Sequence, residues 1–158
     1  MEELDHLPPA LEAALAGADF RRRRRLVLPL LTMDPEGYPR AALLTPAEVR
    51  ANSPRQLAVA VRGASRTAAN LLRRRRATLL YLHRDLTAFV QTRAGRARVC
   101  EHDPERHIVP LSVFRVSLDR PEVREGAVAL IASPTFGGAD AGLLFSREIF
   151  EELARPTR

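Results

Sequence analysis

Six short apolar segments, separated by turn residues, constrain the fold of this chain more than any other feature of its sequence. The segments predicted as strands are residues 26–33, 38–45, 56–61, 77–83, 86–99 and 111–118. Apolar runs of this length, bounded by Gly, Pro, Asp and Ser, are typical of β-strands. The sequence therefore predicts a mainly β (α+β) fold, in which a six-stranded antiparallel barrel closes on itself and carries flanking helices.

Turn and cap residues place the connections between these strands. Residues 34–37 read Asp-Pro-Glu-Gly, a strong turn signal that makes the first two strands a hairpin. Pro29 indicates an edge position or a bulge, because proline cannot donate to a sheet ladder. Ser65 is predicted to cap a helix over residues 66–74, since its hydroxyl can accept a free backbone N–H there.

The remaining segments predict short helical pieces around one barrel. These pieces are residues 8–16, a single turn within 46–51, and two stretches of the tail at 123–132 and 146–154. We expect one domain over residues 1–158, with the barrel at about 26–118 and a helical tail at 119–158.

Composition sets further limits on the class of protein. No stretch of the 158-residue sequence has the roughly 20 consecutive apolar residues that are needed to cross a bilayer. The acidic N-terminus differs from the basic start of a signal peptide. The single cysteine, Cys100, excludes an internal disulfide and is expected in the interior or at a strand end. We therefore expect a soluble, cytoplasmic protein that does not contact membranes.

Arginine supplies all of the positive charge. The chain has 25 basic residues, none of them lysine, and a net charge of +6. Such a surface favours anionic ligands, including phosphates. Two runs, residues 21–25 and 73–76, consist of arginine alone. A nucleic-acid binder interleaves aromatic residues that stack on bases, and aromatics make up only 5% of this chain, so the sequence argues against nucleic-acid binding.

Three motifs follow one another along the predicted barrel. They are the hairpin at residues 32–39, the segment Ala-Ser-Arg-Thr-Ala at 64–68 followed by Arg-Ala-Thr-Leu-Leu-Tyr at 76–81, and Gly-Arg-Ala-Arg-Val at 95–99. In this order and spacing they resemble the pyridoxamine 5′-phosphate oxidase-like FMN-binding split-barrel family. The resemblance implies a split β-barrel and a homodimer that holds FMN at its interface, with a small-molecule substrate entering over the flavin.

The resemblance also implies which residues contact the cofactor. The FMN phosphate would lie at the helix start, near Arg62, Ser65, Arg66 and Thr67. The strand segments that border the flavin ring would be Ala42, Leu43, Leu44, Thr45, Ala60 and Val61, acting mainly through their backbone. Two positions depart from the family pattern, because Thr67 replaces the usual lysine and no arginine stands at Ala42.

The predicted function is that of an FMN-dependent oxidoreductase with an unknown substrate. No catalytic acid or base is identified in the sequence. The alternatives are a non-catalytic module that binds flavin, deazaflavin or haem, or no cofactor at all, and less favoured, a nucleic-acid-binding protein. In the haem alternative His83 or His107 would bind the iron. His102 and His107 flank a loop without recognised metal-ligand spacing, so no metal site is predicted.

Overall fold

A computed structural model describes residues 1–120, 132–137 and 146–156, which form a curled, mainly antiparallel β-sheet with a few short helices. The strands are β1 (Glu2–Leu4), β2 (Leu28–Met33), β3 (Pro39–Leu44), β4 (Val49–Ser53), β5 (Gln56–Arg62), β6 (Arg76–His83), β7 (Leu86–Ala94), β8 (Arg98–Val99) and β9 (Arg106–Asp119). The helices are α1 (Pro9–Leu15), α2 (Phe20–Arg23), α3 (Arg66–Arg74) and α4 (Arg147–Glu152), with a 3₁₀ turn at Pro46–Glu48.

The long strand β9 organises the sheet. The strand order is β3-β2-β6-β7-β9-β5-β4, and β1 and β8 also pair with β9. The first half of β9 pairs with β5 and its second half pairs with β7. The register with β7 shifts between Gln91 and Thr92, where an extra residue on β9 increases the local twist. The sheet therefore curls into the half-barrel expected of a split barrel.

One row of buried aliphatic residues shows how the barrel interior forms. Leu30 lies opposite Leu79, Leu79 opposite Val90, and Val90 opposite Val116. All four are completely buried. Directly opposed residues on paired strands share a sheet face, so this row crosses four strands along the inner face. α1 adds Leu11 and Leu15 to the same core, which explains why its apolar residues recur at helical spacing.

The predicted six strands undercount the sheet, which has nine among the described residues. Residues 46–51 were expected to form a helical turn, but only Pro46–Glu48 is helical, and β4 begins at Val49. Val49 and Ala51 are buried while Arg50 between them is half-buried, which is the period of two that defines a strand. β1 and β8 are two or three residues long, too short for a periodicity to be visible.

Two further expectations need correction. The segment 86–99 was predicted as one strand bent at Gly95, but β7 ends at Ala94 and β8 starts at Arg98. Pro29 was expected at an edge or bulge, yet β2 is an inner strand between β3 and β6. β2 pairs with β6 only at Leu30 and Leu31. Pro29 lies outside this pairing, so its missing N–H removes no hydrogen bond to β6.

The helical predictions hold where the structure describes them. α3 begins after Ser65 and spans the predicted residues 66–74. α1 and α4 fall within residues 8–16 and 146–154. The arginine run at 21–25 begins inside the short helix α2. The helix predicted at 123–132 lies outside the described residues, apart from Ala132.

Candidate functional site

The start of α3 is the site that the sequence points to, and the local hydrogen bonds explain its shape. The Ser65 hydroxyl accepts from the Ala68 N–H at 3.1 Å and donates to the Arg62 carbonyl at 2.6 Å. Ser65 therefore acts as the helix cap, and the same contact closes the turn between β5 and α3. The hydroxyl proton is directed at the Arg62 carbonyl, so the predicted phosphate contact from this hydroxyl would replace the bond to Arg62 while the cap to Ala68 could remain.

The first turn of α3 keeps two backbone donors available. Ala68 and Ala69 donate to the Ser65 hydroxyl and carbonyl, whereas the N–H groups of Arg66 and Thr67 have no acceptor among the described residues. Arg66 is exposed and Thr67 is half-buried. The first turn contains no acidic residue, so nothing in it offsets the positive end of the helix dipole. Two N–H groups, a hydroxyl and a guanidinium are the donor set that a phosphate needs.

The strand segments predicted to border the flavin ring differ in exposure. On β3, Leu43 is 59% exposed, Ala42 is half-buried and Leu44 is buried. Ala60 and Val61 are almost completely buried, backbone included. The pairing of β4 with β5 ends at Val59. Beyond it, the β4-facing edge of β5 has no strand partner in the described part of the chain.

Thr45 directly follows β3 and is held by the 3₁₀ turn that it caps. Its N–H donates to Glu48 at 2.8 Å, and Glu48 also binds Arg106 on β9. Arg106 in turn contacts Asp103 at 3.0 Å. This chain of contacts ties the end of β3 to β9, and β9 pairs with β5 through Val61. The structure therefore brings the two predicted ring-bordering segments to the same end of the sheet.

One cationic residue at this site was missed from the sequence. Arg40 lies opposite Thr32 in the β2–β3 ladder, so both side chains share one face. The Thr32 hydroxyl accepts from the Asn70 amide of α3 at 3.0 Å, and both residues are buried. That face is thus the one that α3 covers, and Arg40 is on it. The signal was present in the sequence, since Arg40 is two residues before Ala42 and strand side chains alternate with a period of two.

An exposed apolar surface covers the opposite face of the sheet. Phe89 lies opposite Leu80 and Ser117, and Leu43 lies opposite Pro29. Leu43, Phe89 and Phe114 are 59%, 36% and 50% exposed. Arg93, on the same face of β7 as Phe89, stacks on the Phe114 ring at 4.9 Å. We call this surface, made by Leu43, Leu80, Phe89 and Phe114, the outer apolar face. Gln91, Arg93 and Arg115 are interspersed with these apolar groups, and exposed apolar side chains grouped on one face are typical of interaction surfaces.

The histidines named for the haem alternative lie in different surroundings. His83 ends β6, stacks on Tyr81 with 6.0 Å between ring centroids, and accepts from the Asp85 N–H. His107 packs directly on Gly63, where an added Cβ would be 2.6 Å from its Nε2 atom. Within the described residues no group of three or more His, Cys, Asp and Glu side chains is arranged to hold a metal ion.

A buried carboxylate that sequence reasoning did not identify lies at Cys100. Glu152 of α4 is completely buried and accepts hydrogen bonds from Arg98, Cys100, Glu101 and His102. Burial alone raises the pKa of Glu152, but these donors outweigh it and hold the pKa well below its usual range. Burial and the Glu152 contact raise the pKa of the Cys100 thiol, which keeps it protonated and unreactive. This cluster anchors α4, and Cys100 is an interior residue as expected.

No family model matches the chain, and no curated protein matches it in sequence. Solved structures do match in fold. A candidate pyridoxamine 5′-phosphate oxidase from Lactobacillus delbrueckii has a TM-score of 0.55 and 16% identity, with 74% of this chain and 99% of that chain covered. An FMN-binding protein from Syntrophomonas wolfei has a TM-score of 0.53 and 12% identity, with coverages of 68% and 82%.

A haem-binding protein from Mycobacterium smegmatis is similar as well, with a TM-score of 0.54 and 17% identity, and coverages of 77% and 58%. In the described part of the chain, every helix is too short or too polar to span a bilayer. The order of strands, the curled antiparallel sheet and these likenesses agree with the resemblance seen in the motifs. The chain therefore has the split β-barrel fold of the pyridoxamine 5′-phosphate oxidase-like proteins.

Proposed function

We propose that this protein binds FMN, with the phosphate at the start of α3 and the flavin ring along the ends of β3 and β5. The observation that carries the proposal is the donor set at α3. The free N–H groups of Arg66 and Thr67 point out of a helix N-terminus that no acidic residue neutralises. Arg66 and Arg40 add guanidinium groups, which suit phosphate oxygens because they bind them in a bidentate manner. The likeness to an FMN-binding protein supports the choice of ligand.

The reaction class we propose is oxidation or reduction of a small molecule. FMN supplies hydride or single-electron transfer when bound. The chain's own contribution is position. Ser65 caps α3 and fixes its first turn, and the buried Asn70–Thr32 hydrogen bond holds α3 against β2. We identify no proton donor or acceptor for the substrate among these residues.

We further propose that two copies pair through the outer apolar face. Leu43 belongs both to this face and to the segment assigned to the ring, so the interface would reach the end of β3 that borders the ring. A two-fold interface is self-complementary, and an apolar patch can pack on its own copy. Light scattering should give the mass of a dimer at micromolar concentration. Phe89→Glu should give a monomer, while Tyr38→Glu, at the exposed hairpin turn, should remain dimeric. A wild-type monomer would contradict the shared site.

The cofactor assignment is tested by titrating FMN and riboflavin into the purified protein. Arg66→Ala should weaken FMN binding by roughly tenfold to a hundredfold, because one charge-assisted hydrogen bond contributes about 1.5–3 kcal/mol. Riboflavin, which lacks the phosphate, should bind both proteins equally. Arg84→Ala is the matched control, because Arg84 is an exposed arginine in the β6–β7 turn. Thr67→Lys should tighten FMN binding by adding a further cation to Arg66 and Arg40.

Equal affinity for FMN and riboflavin in the wild type and in all three variants would refute the phosphate site. Tighter binding of a deazaflavin than of FMN would change the cofactor but keep the site. Turnover of bound FMN with a reductant and an acceptor separates an oxidoreductase from a non-catalytic flavin store. A Soret band on titration with haemin, without flavin binding, would support the haem alternative instead.

A further inference from the structure

A groove runs between α3 and the segment that joins β7 to β8, on the side of α3 away from β2. Its volume is about 500 Å³, within the range of about 300–1,000 Å³ that small-molecule pockets occupy. α3 forms one wall and the backbone of residues 95–97 forms the other. His107 closes one end by packing on Gly63. Ala68 and Ala69, early in α3, also line the groove.

The walls of the groove are mostly apolar although the groove is open to water. Leu71 and Val109 form its buried floor, and Ala68 lies half-buried between them and the solvent. Leu72 and Val99, on opposite walls, are 79% and 55% exposed. Leaving two large aliphatic side chains facing each other across an open groove costs free energy. Such an arrangement is typical of a site that an apolar ligand covers.

The charged groups of the groove all have one sign. Arg75, Arg96 and Arg98 line it, and no carboxylate does so among the described residues. Arg75 and Arg96 are exposed. Arg98 pairs with Glu152 through Nη1 at 2.6 Å, but its buried Nε–H has no acceptor within the described residues. That Nε atom is shielded from solvent, so it lies beneath the surface of the groove, and the exposed cations of the groove are Arg75 and Arg96.

We propose that this groove binds a carboxylic acid with an extended apolar body. The carboxylate lies between Arg75 and Arg96, and the apolar body packs between Leu72 and Val99. Guanidinium groups bind carboxylates through paired hydrogen bonds. The unopposed positive charge selects an acid over an alcohol or an amine of the same length. This site does not depend on FMN.

Calorimetric titration of the full chain with decanoate, decan-1-ol and decyltrimethylammonium, all below their micelle concentrations, tests the proposal. Decanoate should bind saturably with one site per chain. Decanol should bind on the order of tenfold more weakly, because two exposed ion pairs are lost. The cationic amphiphile should not bind.

Two variants and a control locate the site. Arg75→Asn with Arg96→Gln should lower decanoate affinity about tenfold and leave decanol affinity unchanged. Asparagine is chosen because residue 75 has a φ of 54°, and asparagine tolerates that conformation. Leu72→Glu should abolish binding of both compounds. Arg84→Gln, in the turn at the far end of β6, should bind decanoate like the wild type.

Circular dichroism establishes that each variant is folded. If the double variant is unstable, Arg96→Gln alone, in an exposed segment, supplies the same comparison with a smaller loss. The proposal is overturned by any of three results. These are an absence of saturable decanoate binding, equal affinity for decanoate and decanol, and an equal loss of affinity in Arg84→Gln and the double variant.

Discussion

Replacing Glu152 by glutamine tests how α4 is held on the barrel. The carboxylate accepts from Arg98 Nη1 at 2.6 Å, the Glu101 N–H at 2.7 Å and His102 Nδ1 at 2.8 Å. The Cys100 thiol at 3.1 Å and the His102 N–H at 3.2 Å complete the set. Glutamine is nearly the same size, so the substitution changes charge and hydrogen bonding without opening a cavity.

The expected cost follows from these contacts. Either orientation of the glutamine amide turns one end from an acceptor into a donor. That end then faces the N–H of Glu101 or of His102, both of which can only donate. The substitution also leaves Arg98 without its counter-ion. Breaking a buried pair costs about 3–5 kcal/mol, and the lower end applies because the Arg98 side chain is 20% exposed. We expect a loss of about 3 kcal/mol and a fall in Tm of roughly 6–12 °C.

Glu151→Gln is the matched control, since the neighbouring Glu151 is exposed and, within the described residues, its ion pair is with Arg147 at 3.0 Å. An exposed pair of this kind contributes about 0.5 kcal/mol or less. Urea unfolding followed by circular dichroism measures both variants. A loss below about 1 kcal/mol for Glu152→Gln, similar to that of Glu151→Gln, would refute the buried-anchor interpretation.

The same residue predicts a pH dependence. Because the folded-state pKa of Glu152 is depressed from its ordinary value of 4.5, its contribution to stability is complete above that pH. The contribution is lost as the pH falls below 4.5 toward the folded-state pKa. The difference in unfolding free energy between wild type and Glu152→Gln should therefore be larger at pH 7 than at pH 3. An equal difference at both values would show that the carboxylate does not bind fewer protons when folded.

Three further substitutions test the local structure. Gly37→Val should destabilise the hairpin by about 1–2 kcal/mol, because residue 37 has a φ of 90° and left-handed backbone is unfavourable for valine; an unchanged Tm would contradict this. Gly63→Ala should lower the free energy of unfolding by about 1–3 kcal/mol, because the new Cβ meets the His107 ring. In a protein that also carries His107→Ala, the Gly63→Ala substitution should cost much less. Thr32→Val should cost about 1–3 kcal/mol by leaving the buried Asn70 amide without its acceptor; a smaller loss would show that the amide finds another partner.

Local signals predicted the elements that depend on local physics. The hairpin was predictable because Pro35 and Gly37 favour a turn in any context. α3 was predictable because Ser65 caps it through a neighbour three residues away. β1 and β4 were not predicted, and β8 was not separated from β7, because strands of two to five residues are stabilised by the strand beside them. Ser65 shows what the sequence could not predict at the site. The sequence identifies its hydroxyl as a candidate ligand, but only the structure shows that this hydroxyl already donates to the Arg62 carbonyl.

The sequence by itself determined the mainly β class, the turns, the capped helix and the motif order that resembles the split-barrel family, because these depend on neighbouring residues. Tertiary structure alone decided that Arg40 shares the face covered by α3. It also decided that Glu152 and Cys100 meet across 52 positions, and that α3 leaves an open groove lined by Leu72 and Val99. The physical reason is that such contacts join residues far apart in the chain, and the curling of the sheet, which no local segment encodes, sets their distances.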